Sequence, residues 1–109
     1  MDAASQRRFA VNEAMFREAN EGIERGLWPG EEDKRVPFRC ECALVGCAAP
    51  VEMTPVEYEH VRSNPRWFVV VAGHEAPGAE RVVERHPAYL VVEKVQAAAA
   101  VAEELDPRS

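Results

Sequence analysis

A chain of 109 residues that is 47% hydrophobic and 29% charged has the composition of a soluble globular protein and the length of one domain with one core. Its net charge of −6 argues against nucleic acid and anionic membrane surfaces, both of which repel an acidic protein. The longest low-polarity run, QAAAAVA near the end, is too short to span a bilayer.

The opening MDAASQRRFAVNEAMF lacks the unbroken apolar core of a signal peptide, so the expected compartment is the cytoplasm, where thiols stay reduced. Residues 4–26 read as one long helix. Phe9, Phe16, Ala19, Ile23 and Leu27 draw a single apolar stripe along it. Ser5 or Asp2 can cap its start, and Gly26 with Trp28-Pro29-Gly30 stops it. Asn12 and Asn20 fall on or beside the stripe; buried amides there could fix the register of a helix pair, but the expectation is that they face solvent at its edge. A domain this small need not cover the whole stripe, which makes the N-terminal helix the expected surface for a protein partner or a homodimer.

After the polar connector WPGEEDKRVP the period changes. VPFRC reads as a strand, the cysteine loop follows, and PVEMT reads as a second short strand. Thr54-Pro55-Val56-Glu57 is a helix start with a capping threonine, proline in the first turn and Glu57 at the capping-box position. That helix is placed at 55–63. RWFVVVA at 66–72 is a β-branched and aromatic strand, and Gly73 to Gly78 form a loop. RVVER and AYLVVEK make a hairpin turning at His86-Pro87. The last helix, 94–106, starts near Lys94 and lines one side with Val95, Ala98, Ala102 and Leu105. The expected architecture is a single α+β domain over 1–109, α-β-β-α-β-β-β-α around a small antiparallel sheet, with the cysteine loop and sheet at 36–93.

All three cysteines stand in FRCECALVGC. Cys40 and Cys42 project from the same side of an extended chain, and Cys47 returns after four intervening residues, with Gly46 permitting the turn. C-x-C-x4-C supplies three soft ligands, and tetrahedral zinc needs a fourth. His60, His74 and His86 are the candidates. His74 is preferred because a loop at the end of a strand can hold a ligand without burying an unpaired imidazole. A water or a carboxylate in the fourth position stays open, as do an inert thiol core and a thiol-based redox switch. A closed Cys3His site is structural; an open one would admit hydrolytic chemistry with Glu75 or Glu41 as base. No zinc-deaminase, HExxH, phosphate-loop or serine-nucleophile motif is present.

Residues 60–94 carry five basic and four acidic groups, against seven and twelve in residues 1–59. Arg62, Arg66, Arg81 and Arg85 there could form an anion patch, but solvated sheet-face arginines paired with Glu80 and Glu84 are the expectation.

CECALVGC is similar to the post-SET zinc loop of lysine methyltransferases, with Ala43 standing where many such loops have glycine. That resemblance implies metal chemistry only. The wider series NEAMFREANEGIE, FRCEC, VEMTPVEYEHVRSNPRWFVVVAGHE and ERVVERHPAYLVVEK resembles a family of short uncharacterised actinobacterial proteins. It spans most of residues 10–95 and implies one compact domain and no particular activity. The combined expectation is a small zinc-binding protein, holding Zn2+ on Cys40, Cys42, Cys47 and His74, that acts without catalysis as an interaction or regulatory module.

Overall fold

The computed structural model describes residues 2–27, 30, 32–42, 44 and 47–108. Trp28 and Pro29 of the expected helix stop, and Ala43 and Gly46 of the cysteine loop, lie outside the described residues. The chain runs α1 (Ala3–Arg25), β1 (Val36–Arg39), β2 (Pro50–Met53), α2 (Pro55–Arg62), β3 (Trp67–Val70), β4 (Glu80–Arg85), β5 (Leu90–Lys94) and α3 (Gln96–Glu104). This is the expected order and an α+β fold. The strands divide between two antiparallel sheets, a β1-β2 hairpin and a three-stranded sheet ordered β3-β5-β4.

Local chemistry explains the boundaries. Asp2 caps α1 by accepting from the Ser5 N–H at 2.8 Å. The Thr54 hydroxyl accepts from the Glu57 N–H at 3.1 Å while Glu57 accepts from the Thr54 N–H at 2.8 Å, the reciprocal capping box of α2. In β1-β2, Phe38 stands opposite Val51, and its ring stacks on Tyr58 of α2 with centroids 4.6 Å apart. These side chains join Met53, Val61, Phe68, Val69, Val70 and Val91 in the main core, which also takes in Cys40 and Cys42.

The buried face of α1 differs from the expected stripe. Gln6, Ala10, Glu13, Ala14, Arg17, Asn20 and Glu21 point inward, while Ala19 is exposed and Phe9, Phe16, Ile23 and Leu27 are half-buried. At about 100° per residue the expected stripe runs along a flank of the helix. There Phe16 lies under the Arg39 guanidinium, 4.9 Å from it. The inner face is polar because the body of the domain supplies a partner for it. Lys94 Nζ bonds Glu13 and Glu80 with all three side chains fully enclosed. Arg17 spans to the carbonyls of Pro65 and Ala102, each at 2.8 Å, with its guanidinium over Phe68. Arg62 bonds Glu21 at 2.6 Å and also Asp106.

The arginines of the 60–94 stretch do not pair with Glu80 and Glu84 as expected. Arg62 is buried, Arg66 pairs with Glu103 and Arg81 with Glu93. Glu80 instead takes Lys94, and Glu84 takes His60 and His86. At the other end of the chain, Lys94 closes β5 rather than opening α3, and Leu105 is exposed. The buried side of α3 is Ala98, Ala99, Val101 and Ala102, small residues that let it lie against α1.

Candidate metal centre

Cys40 directly follows β1, and its N–H continues the hairpin ladder to the Ala49 carbonyl at 3.2 Å. Alternation along this extended stretch turns Cys40 and Cys42 to one side and Glu41 to the other. Glu41 N–H donates to the Val69 carbonyl at 2.7 Å, and its side-chain Oε1 accepts from the Val69 N–H at 3.0 Å. One residue thus joins the end of β1 to β3, and the two thiols beside it are carried to the far end of that strand.

The fourth residue arrives by a tight turn. Val71 accepts from the His74 N–H at 2.9 Å, and Gly73 between them has φ +93. A type II turn demands that sign at its third residue, which glycine adopts at no steric cost. Val71 also donates its own N–H to the Cys40 Sγ at 3.2 Å. A single residue therefore orients both the thiol and the histidine turn.

The structure brings Cys40, Cys42, Cys47 and His74 together, with their ligand atoms all within 4.8 Å of one another. His74 Nδ1 stands 3.6 Å from Cys40 Sγ and 3.5 Å from Cys47 Sγ. Zinc bonded at about 2.3 Å to sulfur and about 2.0 Å to nitrogen, at tetrahedral angles, separates such atoms by about 3.5 Å. The donor set fits a tetrahedral metal. Cys40 and Cys42 are buried, whereas Cys47 and His74 are half-buried at the rim. Burial pushes the Cys40 and Cys42 thiols up, and the Cys47 sulfur adds to both; the Val71 N–H at Cys40 and the Leu44 N–H at Cys42 work in the opposite direction. A dication bound among the three sulfurs would reverse the balance and favour the thiolates.

His60 and His86 are not part of this group. Their Nε2 atoms meet the two oxygens of Glu84 at 2.7 Å and 2.9 Å. Glu75, next to His74, is tied back to the Gly73 N–H at 2.7 Å. Glu41 is fully enclosed: its Oε2 accepts from Asn20 at 2.8 Å and from the Tyr58 hydroxyl at 2.9 Å. Burial raises its pKa, against the pull of those hydrogen bonds and of Arg17. Glu41 is thus a supporting strut of the loop, and Asn20, expected in solvent, is its buried partner. The alternation of Cys40-Glu41-Cys42 is the one sequence signal for this, since it sets the carboxylate on the face opposite the thiols.

No helix among the described residues is long and apolar enough to cross a membrane. Neither a family model, nor a curated protein, nor a solved structure matches the chain.

Proposed function

We propose that this is a cytoplasmic zinc-binding protein whose Cys40, Cys42, Cys47 and His74 form a closed structural site, and that it works through protein contacts, in a regulatory role, rather than by catalysis. The observation that carries the reading is the convergence of four soft or borderline ligand atoms within 4.8 Å, with S–N separations of 3.5 and 3.6 Å. Three sulfurs and one imidazole nitrogen, with two of the sulfur–nitrogen pairs at tetrahedral spacing, suit zinc above the oxygen-seeking cations.

Four protein ligands fill the tetrahedron, so no position is left for an activated water. The two carboxylates nearest in sequence are engaged elsewhere, Glu75 on the Gly73 N–H and Glu41 on Asn20, Tyr58 and Val69. These observations favour the structural reading over a hydrolase. They also weigh against a sensor built on easy oxidation, because Cys40 and Cys42 are shielded from solvent.

What the metal supplies is a cross-link between the hairpin end and the β3 turn. In small domains such a site contributes on the order of 10 kcal/mol of binding free energy, which is also folding free energy. The test is the spectrum of the cobalt-substituted protein. A closed site gives intense tetrahedral bands that do not respond to pH near neutrality or to added anions. Bands that shift with azide or with pH would reveal an exchangeable ligand and overturn the closed-site reading.

A further inference from the structure

We infer that the outer face of α1 is a dimer interface on which a second copy of this chain docks antiparallel. This names the partner for the protein-contact reading above and rests on it, without depending on the metal. The face opposite the buried one carries Ala4, Arg8, Val11, Met15, Glu18 and Gly22, all exposed. Their spacing alternates four and three residues, the repeat that aligns one helix against another. Val11 and Met15 at its centre are 42% and 66% exposed, among the larger apolar side chains left in solvent.

The order of residues along this stripe is self-complementary. A two-fold axis through its midpoint, between Val11 and Met15, sets Arg8 against Glu18, Val11 against Met15 and Ala4 against Gly22 of the second copy. Each contact occurs twice, as a two-fold interface requires. Apolar groups meet at the centre, opposite charges meet one layer out, and small residues allow close approach at the ends. A parallel pairing would set Arg8 against Arg8 and Glu18 against Glu18, so charge selects the antiparallel one. Beside the stripe lies an open groove of about 350 Å³, lined by Val11, Ala14, Met15, Glu18 and Leu105. It has an apolar floor and stands ready for a methionine side chain of the second copy.

Sedimentation equilibrium of the zinc-loaded full chain tests this, with Arg8→Glu, Glu18→Arg and their equimolar mixture alongside. Both positions are exposed, so the variants fold. The wild-type chain forms dimers, each single variant associates about tenfold more weakly, and the mixture recovers wild-type strength. The mixture recovers because one copy then presents two glutamates to two arginines of the other. A wild-type monomer up to millimolar concentration overturns the proposal, as does a dimer that neither variant weakens or a mixture no tighter than the variants alone. Zinc content measured on the same samples separates the two readings: a monomer with full zinc removes the second copy as partner and leaves the metal site standing.

Discussion

The Asn20 carboxamide lies against the backbone of Arg39 as a neighbouring strand would, accepting from its N–H at 2.7 Å and donating to its carbonyl at 2.9 Å. The same amide nitrogen donates to Glu41, so α1 grips the chain at the residue before the first cysteine of the cluster and at the residue after it. Truncating this side chain removes three hydrogen bonds: both to the part-buried Arg39 backbone and one of the two that Glu41 Oε2 accepts. Asn20→Ala is expected to destabilise the protein by about 3 kcal/mol, and Tyr58→Phe, which removes one of the bonds to Glu41, by about 1 kcal/mol. Urea unfolding of the two variants checks the ranking. Equal and negligible costs would mean that Glu41 is not held as described.

The His74 turn depends on Gly73. A methyl group there meets no neighbour within 4 Å, but the φ of +93 strains any L side chain. Gly73→Ala should therefore cost about 1–2 kcal/mol through backbone strain alone and loosen the metal by displacing His74. Competition against a chromophoric chelator measures the second effect. Unchanged affinity would show that the turn does not position the ligand.

Glu75→Ala separates structural from hydrolytic readings of the same site. Its carboxylate closes a local ring on Gly73 and is not among the four converging residues. The variant is expected to keep its zinc and an unaltered cobalt spectrum, with a stability loss under about 1 kcal/mol. A changed spectrum would place Glu75 on the metal.

Lys94 is one ammonium between two carboxylates, and burial pushes Glu13 up to about 9 from its ordinary value of 4.5. Between those values the folded protein holds a proton that the unfolded chain has released. Stability contributed at this position is therefore fully present below about pH 4.5 and falls as pH rises towards about 9, by up to roughly 1.4 kcal/mol per unit. Zinc-loaded protein should lose stability between about pH 6 and about pH 8, and Glu13→Gln should flatten that slope. Denaturation curves across this range check it, and an equal slope in both proteins would contradict the assignment.

The order of elements is legible in the sequence because each is marked locally. The change from helical to alternating period, the Thr54–Glu57 capping box and the turn at His86-Pro87 all act over a few residues. The convergence of His74 on the cysteines is legible for a similar reason: three thiols crowd one loop, and Gly73-His74 follows an apolar strand. The inner face of α1 is not. Glu13, Arg17 and Asn20 look like solvent-facing residues until their partners are known, and those partners lie far along the chain at Lys94, Ala102 and Arg39. Hydrophobic periodicity registers apolar burial only, so it favoured the flank with Phe9 and Phe16 over a face buried through hydrogen bonds.

Native mass spectrometry of protein purified reduced and without chelator, with His74→Ala and Cys47→Ser measured beside it, counts the zinc on each chain. One zinc per wild-type chain is expected, lost or weakened in both variants. Wild-type protein without metal, or zinc held as firmly in the absence of His74, would contradict the Cys3His site.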